Sequence, residues 1–192
     1  TCWWADDWDG REYAMDYDPN QPFLKQLVEL TQKVPWQSTE SAYLTLVNSD
    51  YCNAVGHLKN CYMTFWADYC ENVFYSSFLN GLRDSADCFR MKNSELCYES
   101  VGCNKCYRTF FSEECNSCTD TWFSRGCSGL VNCFGCVNLR NKSYYIWNQP
   151  HTREIYFKKL KELNLDSRAM LDQTQTKSRA FWDKYPRRDY IG

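Results

Sequence analysis

Thirteen cysteines and two histidines are the residues of this chain best suited to chemistry. Cys103-x2-Cys106-x8-Cys115-x2-Cys118 has the outline of a four-thiolate zinc site, and Cys133-Phe-Gly-Cys136 adds another pair. Zinc needs sulfurs within about 4 Å of one another, whereas strand positions three apart are expected to diverge by up to ~10 Å. Disulfides are a second option. In a narrow flattened coil, cysteines nine apart would pair across the core: Cys52 with Cys61, Cys88 with Cys97, Cys106 with Cys115, Cys127 with Cys136. That scheme leaves Cys70 opposite Leu79 and Cys133 opposite Ser124, which weakens it. The favoured reading is reduced thiols used for packing, with no cofactor; any metal would fall to Cys103, Cys106, Cys115 and Cys118. Neither His57 nor His151 has a motif around it, so no acid–base constellation is marked and a non-enzymatic role is expected. Ala5-Asp-Asp-Trp-Asp-Gly10 with Asp16 imitates a calcium loop, but Ala5 stands at the first ligand position. It is read instead as an acidic strap packed through Trp3, Trp4 and Trp8.

The cysteines are placed by an arithmetic grid. Cut into nine-residue units from Tyr43, the chain puts Cys52, Cys61, Cys70, Cys88, Cys97, Cys106, Cys115 and Cys133 at position one. Cys118, Cys127 and Cys136 fall at position four and Cys103 at position seven, so twelve cysteines share one every-third-residue track. The track's other occupants are small or apolar, and none is charged from 43 to 141. A fixed short period marks a repeat architecture whose units bury their apolar side by stacking. Neither a 3.6-residue helical period nor strict alternation fits a three-residue inward period. A single-stranded parallel β-solenoid does, and two nonads per turn predict 18-residue coils.

The flanks predict helices that would cover the solenoid's open ends. Phe23, Leu24, Leu27, Val28, Leu30 and Val34 mark an amphipathic helix entered through Pro22. Thr152 caps another, running to about Leu163, and a third follows from Asp166 to about Lys184, stopped by Pro186. The expected organisation is a strap over 1–19, a capping helix over 20–35, the solenoid over 43–148 and a helical segment over 152–192. Mean hydropathy is −0.64 and no apolar run is long enough to span a membrane. Net charge is −2. The excess of Lys and Arg after residue 152 is read as a solvated helix face rather than a nucleic-acid site. Reduced thiols would suit the cytoplasm; location is otherwise unknown.

Aromatics off the inward track are numerous for the outside of a coil. Tyr62, Trp66, Tyr75, Tyr107 and Trp122 are the candidate binding residues, for a protein partner or self-assembly first and a glycan or nucleic acid second.

Three stretches carry a resemblance: Trp3-Trp4-Ala-Asp-Asp-Trp8-Asp-Gly-Arg-Glu-Tyr13 with Pro22-Phe23-Leu24, Lys59-Asn-Cys-Tyr62, and Cys133-Phe-Gly-Cys-Val-Asn-Leu-Arg-Asn-Lys142. Together they resemble a family of uncharacterised cysteine-rich proteins of candidate phyla radiation bacteria. Members carry a zinc-finger-like segment before the Trp-Trp motif and continue past the Tyr-Pro-Arg-Arg segment, here Tyr185–Arg188. The resemblance therefore implies a piece of a longer polypeptide, and it brings no catalytic residues.

Overall fold

The computed structural model describes residues 8–36 and 39–187, and the chain divides into two compact units after Thr39. Trp3, Trp4 and Asp7 lie outside the described residues. In the first unit, α1 (Phe23–Lys33) starts after Pro22, whose fixed φ suits a helix entry. The last residues of the strap, Met15 to Asp18, fold back on it. Gln26 accepts a hydrogen bond from the Asp18 amide (2.9 Å) and donates to the Asp18 carbonyl (2.9 Å). Asp9 accepts from the Arg11 amide and pairs with its guanidinium, so this member of the calcium-like motif is engaged in a local turn.

The second unit is a parallel β-solenoid of about eight turns, as the three-residue inward period predicts. Its strands are β1 (Leu46–Val47), β2 (Asn53–Lys59), β3 (Phe65–Phe74), β4 (Ser77–Asn80), β5 (Arg83–Phe89), β6 (Tyr98–Val101), β7 (Tyr107–Phe110), β8 (Thr119–Trp122), β9 (Val131–Phe134), β10 (Ser143–Ile146) and β11 (Gln149–Pro150). The coil length corrects the expectation. Leu46 pairs with Leu58, Leu58 with Cys70, and Thr109 with Thr121: the repeat is 12 residues, not 18.

The reason lies in the backbone. Every third residue from Asn48 to Trp147 has a positive φ, near 44–71°. Each left-handed residue turns the chain after one inward and two outward side chains, so four such triplets close a coil. Five of these 34 positions are glycine (Gly81, Gly102, Gly126, Gly129 and Gly135), leaving 29 that carry a side chain. The left-handed region costs a side-chain-bearing residue roughly 1 kcal/mol, more if β-branched. Accordingly none of the 29 is Val, Ile or Thr, and Asn is the most frequent.

The inward track is a dry, narrow core: all 29 positions from Cys52 to Cys136 are buried. Its serines have a structural task. The amides of Cys88, Cys97, Cys106, Ser124 and Cys136 each donate to a serine Oγ one coil earlier (Ser76, Ser85, Ser94, Ser112 and Ser124), at 3.0–3.2 Å. Those hydroxyls donate in turn to the carbonyl two residues back, as Ser76 does to Phe74 (2.7 Å). Cysteine serves similarly. Cys106 Sγ lies 3.6 Å from the Asn104 carbonyl and 3.2 Å from that of Cys115, nine residues on. The nine-residue spacing is thus twelve minus three: one coil up and one side back. It marks neighbours in the wall rather than partners facing each other across a flattened core, and all twelve described cysteines are free thiols.

At the C-terminal end, β11 turns back antiparallel on β10 and closes the last coil. Helices α2 (Arg153–Glu162) and α3 (Arg168–Trp182) follow, capped by Thr152 and Ser167 hydroxyls accepting from the Ile155 and Met170 amides. Among the described residues no helix is long and apolar enough to cross a membrane.

Candidate binding surface

Twelve-residue registry sorts the outward side chains into columns, and four of them form one aromatic side. Tyr62, Phe74, Ala86, Tyr98, Phe110, Trp122, Phe134 and Ile146 stack in the first column. Tyr51, Met63, Tyr75, Asp87, Glu99, Phe111, Phe123, Gly135 and Trp147 follow at the next left-handed position. Across the side run Phe65, Ser77, Phe89, Val101, Glu113, Arg125 and Val137. Trp66 and Phe78 flank that third column. The remaining columns are mainly polar, with rows such as Lys59–Glu71 (2.6 Å) and the amide ladder Asn60–Asn72–Asp84 (3.0 and 2.7 Å), and they expose only scattered apolar residues such as Tyr69, Leu96 and Tyr107.

Helix α3 covers this side over the later coils. Its buried face is Thr174, Ser178 and Trp182, spaced at four and small at two positions, which allows close approach. Trp182 Nε1 donates to the Phe123 carbonyl (3.2 Å), Arg125 donates to the Trp182 carbonyl (2.6 Å), and the guanidinium lies over the indole at 5.6 Å. The side's acids hold the helix from its flanks. Gln175 donates to Glu99 (3.0 Å), Arg168 lies 3.8 Å from the same carboxylate, and Arg187 lies 3.6 Å from Glu113. Beneath α2 and α3, Phe111, Phe123, Phe134 and Ile146 pack with Tyr156 of α2 as a second buried core.

Over the earlier coils no described helix of this unit covers the same columns. Tyr51, Tyr62, Met63, Phe65, Trp66, Phe74, Tyr75, Phe78 and Phe89 are all exposed, Trp66 by 64% and Tyr75 by 56%. At ~200 Å² per large side chain they present about 900 Å², more than the few hundred typical of a monomer's largest apolar patch. The rings lean on one another along the solenoid axis. Trp66 stacks on Phe78 (5.7 Å, 10°), Tyr62 meets Tyr51 and Tyr75 edge-on, and Phe78 meets Phe89 edge-on. Ring faces that already cover each other are poor platforms for a sugar or base, which needs a free face.

Of the five aromatics singled out by sequence, the structure gathers Tyr62, Trp66 and Tyr75 on this bare stretch. Tyr107 is exposed in a different column, and Trp122 packs against the helix-covered core. Phe65, Phe78 and Phe89 complete the patch. A twelve-residue comb laid on the sequence would have aligned them; the nonad comb scattered them.

The cysteines divide in the same way. Burial pushes Cys70 and Cys97 up to about 11 and Cys88 to about 12, so they are poor nucleophiles at neutral pH. Cys103, Cys106, Cys115 and Cys118 lie on adjacent sides of adjacent coils, and neighbouring thiols hydrogen-bond in pairs, Cys103 and Cys118 each with Cys106 and Cys115, instead of diverging. Hydrogen bonds from Cys103 and Cys118 lower the Cys106 thiol, and the same bonding raises Cys103 and Cys118. Even so, no group of three or more His, Cys, Asp or Glu among the described residues is arranged to hold a metal ion. His57 stacks on Tyr69 (4.4 Å) and meets Asp68 through Nδ1 (2.9 Å) on a polar corner, away from the inward-facing thiols. Compared with known proteins, the chain matches no family model and no curated protein.

Proposed function

We propose that this protein is a non-enzymatic binding scaffold, its solenoid presenting the bare aromatic side of the early coils to another macromolecule. The observation that carries the reading is the run of exposed rings from Tyr51 to Phe89 on columns that are helix-covered further along. Exposed apolar surface of this size is costly in water unless something covers it. A non-enzymatic role is supported by the placement of the nucleophiles: the described thiols point into a dry core, where burial holds several of them protonated. Ring faces occupied by neighbouring rings favour a polypeptide over a glycan or single-stranded nucleic acid.

The test is a solid-phase panel of polypeptides, polysaccharides and single-stranded nucleic acids, probed with the wild-type chain and a Trp66→Asp/Tyr75→Asp variant. The expected result is binding to polypeptide that the variant loses, with no turnover of what is bound. A variant that binds everything the wild type binds would sink the proposal. Zinc is a second reading, favoured only by the pairwise thiol contacts among Cys103, Cys106, Cys115 and Cys118. Metal quantified on anaerobically purified protein decides it.

A further inference from the structure

Resting on the scaffold reading, we infer that the bare stretch between Tyr51 and Asp87 is a seat for an amphipathic α-helix of about three turns, supplied by a partner protein and carrying a basic residue at the end nearest Asp87. The first argument is continuity. The two columns that line the stretch (Tyr51, Met63, Tyr75 and Phe65, Ser77, Phe89) become, without a break in register, the columns that seat α3 (Glu99, Phe111, Phe123 and Val101, Glu113, Arg125). The chain itself thus shows what kind of element this side receives.

The second argument is shape. Ser77 is a short side chain between Phe65 and Phe89 in its column, leaving a dip flanked by rings, whereas a strand would need a free hydrogen-bonding edge. The backbone of these coils has none on this side, because Tyr62, Phe65 and Tyr75 amides all donate to neighbouring coils. Three rungs at ~4.8 Å give ~14 Å, matching about ten helical residues laid along the axis.

The third argument is charge. On the covered stretch, the acids Glu99 and Glu113 receive Arg168 and Arg187. Asp87 is the next acid of the same column; it lines the cleft at the junction beside Gln175 and Arg179 of α3 but forms no ion pair with Arg179, so it is open to a basic residue from the bare stretch.

The test uses the full chain against two yeast-displayed libraries, one of 14-residue helices with one face randomised and one of unstructured peptides of equal length. The expected result is enrichment of helices pairing an apolar face with a terminal Lys or Arg. Their binding should weaken at least tenfold with either Tyr75→Asp or Ser77→Arg and stay unchanged with Tyr107→Asp. Reselection against Asp87→Lys should replace the basic residue by an acidic one. Enrichment of extended peptides alone, or helices indifferent to Tyr75→Asp and Ser77→Arg, overturns the helix seat. So does sedimentation of the full chain as a dimer that Tyr75→Asp dissociates, since a second copy then occupies the side. Extended peptides that Tyr75→Asp releases, or a dimer that it dissociates, leave the scaffold reading standing. Loss of every patch-dependent interaction ends both.

Discussion

The early and late coils are built on one twelve-residue plan, yet the same outward columns are exposed in one half and buried in the other. Phe123, late in its column, is fully buried under Trp182, while Tyr75, four coils earlier in that column, is 56% exposed. The inward track is equally buried in both halves. The difference therefore lies outside the repeat, in a helix that closes over one half. A solenoid fixes its core locally, rung by rung, and leaves its surface to be assigned by whatever packs on it.

Breaking the covered half should have the largest effect. Trp182→Ala removes a side chain that is 4% exposed and seats α3 on Phe123. It should cost about 3–5 kcal/mol in chemical denaturation, with amide exchange rising first at residues 98–147. Next comes Gly135→Ala, also in the covered half. Gly135 has φ +62°, and an added Cβ would stand 2.6 Å from Trp147 Cε3, against a rigid ring. A loss of about 2–4 kcal/mol is expected, because backbone strain and overpacking add. Ser124→Ala strikes the shared core, since Ser124 Oγ accepts from the Cys136 amide and donates to the Trp122 carbonyl. Leaving that amide unpaired should cost about 1–3 kcal/mol. Trp66→Ala, in the bare half, should move the denaturation midpoint by no more than ~0.5 kcal/mol. A large loss there would mean that the stretch is covered within the folded chain.

Alkaline titration sharpens the comparison from the early coils. An unfolded thiol ionises near 9.0, whereas burial raises Cys70 and Cys97 to about 11 and Cys88 to about 12. Folded thiols then keep protons that unfolded ones lose, so this contribution is complete below pH 9 and is lost as pH climbs from 9 towards 12. Thermal midpoints measured from pH 8 to 11 should fall steadily above 9. A flat profile would mean that these thiols are not held in a dry core.

The inward track was legible because a buried position tolerates few residue types, so Cys52, Val55, Leu58 and Cys61 announce themselves by what they are. The coil length was hidden because two spacings satisfy the same three-residue comb. Cysteines nine apart are neighbours across a rung and those twelve apart stack in one column, as Cys103, Cys115 and Cys127 do. The absence of β-branched residues one position before the track was the overlooked signal, since it reports a left-handed turn at every third residue. The grouping of Trp66 with Tyr75, and the separation of Tyr107 and Trp122 from them, needed the coil length first.

By itself, then, the sequence determined the parallel solenoid and its narrow, uncharged thiol-and-serine core, because burial and backbone turn are local requirements written into each triplet. Only the tertiary structure decided the twelve-residue coil and which aromatic columns lie beneath α3. Helix packing joins residues as distant in the chain as Phe123 and Trp182, and no local pattern encodes that contact.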